Sequence, residues 1–177
     1  VEENLRLAMR SVVQRDRALA LQAIETDHVI DQHEVQVEEE CLKILALHQP
    51  VAHDLRFIVA ILKINHDLER VGDLAVNIGE RALVLAQHPP LQRDFALQRL
   101  ADKAQGAVAR SLDALINRDL KLAREIWLSD DAADRFNREL LDQVEEEIRK
   151  LPEQLPSLLA ITSVSRTLER VADHATN

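Results

Sequence analysis

Three polar residues recur at one spacing in two places along the chain. Glu69, Asp73 and Asn77 stand in LERVGDLAVN, and Glu169, Asp173 and Asn177 stand in LERVADHATN one hundred positions later. A spacing of four residues places each set on one face of a helix. Because carboxylate and amide oxygens bind hard cations, the chemistry that this pattern could support is metal binding.

A second row of acids precedes the first copy. Its members, spaced four, three and four residues apart, are Asp27, Asp31, Glu34 and Glu38. Like charges at this spacing destabilise a helix by about 0.2–0.5 kcal/mol per pair. A cation that bridges oxygens from two helices would relieve that repulsion, and carboxylates with an occasional Asn or His suit Mg, Mn, Fe or Zn. The later part of the chain has the thinner row Asp130, Asp134 and Asn137, so we expect a second site that binds differently or more weakly.

A solvated surface is the alternative interpretation of these rows. Acidic helix faces are most often exposed to water, and Arg70, Arg81 and Arg170 could neutralise several carboxylates through weak surface ion pairs. The residue types and their periodicity leave both interpretations open.

The elements that carry these residues are predicted to be helices. The 177 residues include 3 Gly, 5 Pro and no Tyr, and the common residues are helix formers. The sequence therefore predicts an all-α protein, with Asp16, Asp27 and Asp130 as helix N-caps. The predicted helices cover about 2–14, 17–26, 28–48, 51–87, 91–117, 119–128, 131–150 and 154–177. In the fourth, a predicted core stripe of Phe57, Ala60, Ile64, Leu68, Val71, Ala75, Ile78 and Ala82 lies opposite Glu69 and Asp73.

The internal likeness extends over most of the chain. An offset of 103 pairs Asp16 with Asp119 and Asp27 with Asp130, and after the proline loop an offset of 100 pairs Leu68 with Leu168. We therefore expect two tandem homologous three-helix bundles, comprising residues 1–88 and 91–177.

Several classes of protein are disfavoured by composition. The net charge is −9 and no Lys/Arg cluster is dense enough to follow a phosphate backbone, so nucleic-acid binding is not expected. The longest apolar runs fall far short of the roughly 20 residues that span a bilayer, so no direct membrane insertion is expected. A single cysteine, Cys41, forms no internal disulfide and suits the cytoplasm. Because no phosphate-binding Gly loop or nucleophile motif is present, we do not expect an enzyme.

Longer motifs add a resemblance to a known family. QPVAHDLRF at Gln49–Phe57, followed by LERVGD, resembles the signature of the PhoU family of phosphate-uptake regulators, and PSLLAITSVSRTLERVAD at Pro156–Asp173 resembles its second half. The resemblance implies two repeated three-helix bundles and a non-enzymatic cytoplasmic adaptor, which reaches the inner membrane through its partners. Those partners would be the ATPase of the phosphate ABC transporter and a sensor histidine kinase, and the adaptor would hold the phosphate-starvation response off. A homodimer is also expected.

The resemblance also implies a ligand set. Some family members bind multinuclear iron or zinc clusters on their surface through repeated E/DxxxD motifs. The matching positions here are Glu69, Asp73, Glu169 and Asp173, with Asp27, Asp31, Glu34, Asp130 and Asp134 as further contributors. Asp54 and Arg56 match the family's DLR motif, where we expect a structural ion pair that ties the proline loop to a neighbouring helix.

Two departures from the family pattern accompany these matches. Gln154 and Pro156 stand where a second DLR motif would align, and both chain ends fall inside expected helices, so the sequence is expected to be a fragment. Two other functions stay open: a metal-storage or redox bundle, and a metal-free helical scaffold whose acidic rows serve solubility or contact basic partners.

Overall fold

The protein is built from α-helices. The computed structural model describes residues 1–128 and 131–177, apart from the side chains of residues 131–134. The described ranges contain seven α-helices and no strand, which confirms the all-α prediction. They are α1 (Glu2–Gln14), α2 (Arg17–His48), α3 (His53–Ala86), α4 (Leu97–Asn117), α5 (Leu120–Leu128), α6 (Asp131–Lys150) and α7 (Leu155–Thr176). A short 3-10 turn, Pro152–Gln154, leads into α7.

The helices form two repeated bundles that share a core. In the first half α1, α2 and α3 pack on one another; in the second, α4 and α7 correspond to α1 and α3, while α5 and α6 together correspond to α2. Helices α3 and α7 pack against each other and join the halves. One apolar cluster therefore runs through both halves, and among its fully buried members are Leu5, Met9, Ile78, Leu100, Leu158 and Leu168.

Helix α2 is one continuous helix, so the predicted boundary at Asp27 is wrong. The interior of α2 contains no Gly or Pro that would end the helix. The Asp27 carboxylate faces α3, where its Oδ1 lies against Gly72, so it does not cap a helix. The predicted cap at Asp16 is confirmed, since Asp16 Oδ1 accepts hydrogen bonds from Ala18 N at 2.7 Å and Leu19 N at 3.2 Å. The predicted cap at Asp130 lies outside the described residues.

Loss of the Asp16 cap should measurably destabilise the protein. We expect Asp16→Ala to lower the free energy of unfolding by about 1 kcal/mol, because two backbone N–H groups lose their acceptor. For a chain of this length, that corresponds to a fall in Tm of about 2–4 °C in thermal denaturation. Asp16→Asn keeps an acceptor oxygen and is the control; an equal fall in both variants would contradict the capping role.

Helix α4 begins at Leu97, six residues later than the sequence predicts. Asp94 Oδ1 accepts a hydrogen bond from Ala96 N at 2.8 Å, and Ala96 has a left-handed backbone with φ 50°. This turn cannot continue into a preceding helical turn, so the linker between the halves is longer than expected.

An arginine closes the C-terminal end of α3. Arg15, itself in the left-handed conformation that ends α1, donates from Nη1 to the carbonyl oxygens of Leu85, His88 and Pro89 at 2.9–3.0 Å. Carbonyls at a helix C-terminus have no partner within the helix, and a cation there also opposes the helix dipole. Arg15 therefore stabilises the end of α3 and the start of the linker.

The predicted core stripe of α3 is correct in its second half and wrong at its start. Val71, Ala75, Ile78 and Ala82 are buried, whereas Phe57 is 40% exposed. The Phe57 ring instead lies 5.6 Å from the guanidinium of Arg118, at the end of α4. Among the described helices, none has both the length and the apolar character that crossing a membrane requires.

Candidate metal site between helices α2 and α3

Three potential metal ligands meet where α2 and α3 pack together. Glu34 projects from α2, His66 and Glu69 project from α3, and one ligand atom of each lies within 4.8 Å of the others. His66 Nδ1 is 3.5 Å from Glu34 Oε1 and 3.9 Å from Glu69 Oε2. Two carboxylates and an imidazole form a donor set suited to Zn or Fe.

His66 is a site residue that the sequence reasoning did not select as a ligand. It lies three residues before Glu69, so a helix presents both side chains on one side. That spacing was the available signal. The proximity of His66 to Glu34 depends on how α2 packs on α3, which no local pattern specifies.

Asn65 fixes the level at which the two helices meet. Its Nδ2 donates to the backbone carbonyl oxygen of Glu34 at 2.8 Å, and the contact is partly buried. The bond couples the backbone of α2 to α3 beside the three ligands. The site therefore rests on two regular helices rather than on a loop, which favours a fixed geometry.

Glu69 is an anion in an unfavourable environment. Its side chain is 17% exposed, and its Oε2 atom is buried without a hydrogen-bond partner among the described residues. Burial raises the pKa of Glu69, the charges of Asp73 and Glu34 raise it further, and Arg70 and His66 act in the opposite direction. A cation bound beside Glu69 would stabilise the charged form.

Asp27 is in a similar situation further along the interface. Its Oδ1 is buried with no hydrogen bond from the described residues, and burial followed by the charges of Asp31 and Asp73 raises its pKa, against the effect of His28. Asp73 also acts on Glu69, so it joins the two groups of acids. Asp73 is itself held by Arg70, whose Nη1 donates to Oδ2 at 3.1 Å.

The structure thus gathers the predicted acids of the first half into one cluster. We call this the α2–α3 acidic cluster; its members are Asp27, Asp31, Glu34, Glu69 and Asp73, together with His66. Repulsion among these carboxylates is the common cause of the raised pKa values. The cluster has the charge and donor atoms for one or more cations.

A glycine lets the two helices approach at the cluster. A Cβ atom at Gly72 would lie 3.0 Å from Asp27 Oδ1 and 3.1 Å from Ile30 Cγ2. Both distances are too short for ordinary contacts, so any larger residue must displace α2. The glycine of the LERVGD motif therefore sets the separation of α2 and α3.

Gly72→Ala should destabilise the protein and weaken metal binding together. We expect the overpacked interface to cost about 1–3 kcal/mol, measured as a fall in Tm, because the added methyl group separates α2 from α3. Gly106→Ala is the matched control: a Cβ there meets nothing within 4 Å, so its better helix propensity should raise Tm slightly. If both substitutions raised Tm, the close approach at Gly72 would be refuted.

The second half holds a hydrogen-bonded network at the corresponding place. Asn137 Nδ2 donates to Glu169 Oε2, and Asn137 Oδ1 accepts from Ser165 Oγ at 2.8 Å. Asn137 and Ser165 are buried and correspond to Glu34 and Asn65. A neutral amide therefore satisfies Glu169 where the first half places a second carboxylate.

The remaining predicted ligands of the second half are not brought together by the described contacts. The Asp173 side chain is exposed, Asp130 lies outside the described part of the chain, and so does the side chain of Asp134. Ala172 stands where the first half has Gly72. The expectation of a different or weaker second site stays a prediction.

The DLR residues lie on the surface at the start of α3. Asp54 and Arg56 are exposed, and Asp54 Oδ1 is 3.6 Å from Nδ1 of its neighbour His53. The expected ion pair with a neighbouring helix stays a prediction.

Comparison with known proteins identifies close relatives over the whole chain. The family model described as "PhoU domain" matches residues 1–82 and 97–177. The chain is 34% identical to the "Phosphate-specific transport system accessory protein PhoU homolog" of Pseudomonas putida, over 100% of this chain and 70% of that protein. A homologue with the same description from Deinococcus radiodurans is 35% identical over 100% of this chain and 83% of its own length.

Solved structures agree with this assignment. The crystal structure of PhoU from Pseudomonas aeruginosa superposes with a TM-score of 0.95 at 34% identity and covers 99% of this chain and 85% of that one. The phosphate transport system regulatory protein PhoU from Streptococcus pneumoniae gives a TM-score of 0.90 at 27% identity, covering 99% and 83%. With two matched domains, the repeated motifs and this agreement in fold, the chain belongs to the PhoU family.

Proposed function

We propose that this protein regulates phosphate uptake as an accessory protein of the phosphate-specific transport system. The observation that carries the proposal is the full-length similarity to relatives named as accessory proteins of that system. It acts as a negative regulator: when phosphate is plentiful, it holds the phosphate-starvation response off. It does so without enzymatic activity, as an adaptor in the cytoplasm.

Two protein partners follow from this role. One is the ATPase of the phosphate ABC transporter, and the other is a sensor histidine kinase, so that transport activity reaches the kinase through this protein. The protein works as a homodimer whose bundles comprise residues 1–88 and 91–177. A pull-down with each partner tests the adaptor role, and failure to retain either one would contradict it.

The α2–α3 acidic cluster binds iron or zinc in this proposal. Glu34, His66 and Glu69 hold one ion, and Asp27, Asp31 and Asp73 extend the site toward a second. Support comes from the buried carboxylate oxygens of Asp27 and Glu69, whose charges a cation would neutralise. The second half binds metal more weakly, because Asn137 already satisfies Glu169.

The second candidate is a metal-binding helical bundle with no part in phosphate signalling. The close approach of Glu34, His66 and Glu69 favours it, since that geometry stands apart from any partner. It predicts metal binding of the same strength but an unchanged phosphate response when the gene is removed.

A phosphate-starvation reporter distinguishes the two candidates. In a strain deleted for this gene and grown in rich phosphate, we expect the reporter to be active, and a plasmid copy of the wild-type gene should silence it. A copy carrying Glu69→Gln and Asp73→Asn then shows whether the cluster takes part in regulation. A deletion strain whose reporter stays silent would overturn the regulatory proposal and leave the metal-binding bundle.

A further inference from the structure

An apolar groove lies at the C-terminal end of α7. Its volume is about 570 Å³, and its walls come from α3, α4 and α5, with His174, Thr176 and Asn177 at its rim. Asp67 of α3 holds this end of α7 in place: its Oδ1 lies 3.0 Å from His174 Nδ1 and accepts from Asn177 Nδ2 at 3.3 Å. The groove continues the packed interface between α4 and α7.

The internal repeat shows what covers the same surface in the first half. Six buried positions of α1 and α2 are Leu5, Ala8, Met9, Val12, Ala20 and Ala23. Their counterparts at an offset of 103 are Val108, Ser111, Leu112, Leu115, Ala123 and Ile126, and all six line the groove. In the first half α3 packs on α1 and α2, with Ile78, Ala82 and Leu85 buried. The groove is thus the second copy of the surface that the C-terminal half of α3 covers.

The register of the repeat aligns the groove with the end of α7. An offset of 100 pairs Asn177 with Asn77, so the position that follows Asn177 corresponds to Ile78. A helix that continued the axis of α7 with the apolar spacing of Ile78, Ala82 and Leu85 would enter the groove directly.

Arg118 supplies the polar half of the match. It corresponds to Arg15, and both residues end their helices in the left-handed conformation, with φ 53° and 52°. Arg15 donates to the carbonyl oxygens at the end of α3, whereas Arg118 lines the groove and lies over the Phe57 ring. The two caps are followed by the same turn, since Asp119 accepts from Lys121 N and Leu122 N as Asp16 does from Ala18 N and Leu19 N.

We infer that this groove is a seat for an amphipathic helix that continues α7 in the same polypeptide, with Arg118 capping its C-terminal carbonyls. The groove is therefore part of the fold of the second bundle rather than a pocket for a small molecule. The inference is independent of the metal site and of the phosphate response.

Extending the chain tests the inference. Residues Ile78–Pro89 are copied directly after Asn177, which keeps the register of the repeat. We expect this extension to raise Tm by about 5 °C or more, because it covers the apolar walls of the groove. The matched control carries the same extension with Gln at the positions copied from Ile78, Ala82 and Leu85, and it should leave Tm unchanged.

Two further variants separate the possible occupants. Arg118→Gln should remove part of the gain in the extended chain only, so the difference between extended and unextended chains should shrink. An equal rise in Tm with the Gln control would overturn the inference. An unlinked peptide of the Ile78–Pro89 sequence that raised Tm as much as the linked extension would overturn it in favour of a separate partner helix.

Discussion

Glu69→Gln is expected to weaken zinc binding by about 100-fold while leaving the metal-free protein more stable than wild type. The substitution keeps the shape of the side chain and removes a charge whose pKa is raised by burial, Asp73 and Glu34. At neutral pH the wild-type carboxylate is charged and disfavoured in the folded state, so a neutral amide relieves the repulsion. Isothermal titration calorimetry measures the affinity, and thermal denaturation in chelator measures the stability.

The opposite signs of these two effects make the test specific. A variant that merely misfolded would lose both metal affinity and stability. Glu169→Gln is the matched control from the second half; there we expect little change in zinc affinity, because Glu169 accepts a hydrogen bond from Asn137. Equal losses of affinity in the two variants would contradict the assignment of the site to the first half.

Asn137→Glu is expected to destabilise the metal-free protein by about 3 kcal/mol, which lowers Tm by roughly 6–12 °C. The substitution copies Glu34 into the second half and places a carboxylate against Glu169 at a buried position. It also removes the amide that accepts from Ser165 Oγ. Thermal denaturation in chelator gives the loss, and added zinc should restore part of it, because a cation can bridge the two carboxylates.

Asn137→Leu and Glu34→Asn complete the comparison. Leu removes the hydrogen bonds of Asn137 without adding a charge, so its loss of stability should not respond to zinc. Glu34→Asn should lower zinc affinity in the first half and leave the metal-free protein at least as stable. If zinc restored the Leu variant as well as the Glu variant, the explanation by carboxylate repulsion would be wrong.

The helical fold could be predicted because its signals are local and repeated. The LERV motif recurs at a fixed offset, and the Asp16 cap and the buried positions Val71 to Ala82 follow from helical periodicity. The false boundary at Asp27 arose because a capping residue type was given priority over an uninterrupted helix-forming segment. The late start of α4 depends on the side-chain turn at Asp94, which propensity alone does not indicate.

The site was predicted in its residues but not in its geometry. Spacing placed Glu69 and Asp73 on one face of α3 and Asp27, Asp31 and Glu34 on one face of α2. The partnership of His66 with Glu34 depends on the approach permitted by Gly72 and on the bond from Asn65, both of which are contacts between helices. The difference between the halves likewise rests on Asn137 and Ser165, which look like ordinary substitutions until their hydrogen bonds are seen.

The central claim is that the first half of this PhoU-family protein holds a metal ion between α2 and α3. Crystals grown with zinc and measured at the zinc absorption edge test it directly. The account predicts an anomalous peak within bonding distance of Glu34, His66 and Glu69, and a stronger signal there than anywhere in the second half. An absent peak at these residues, or a dominant peak beside Glu169, would contradict it.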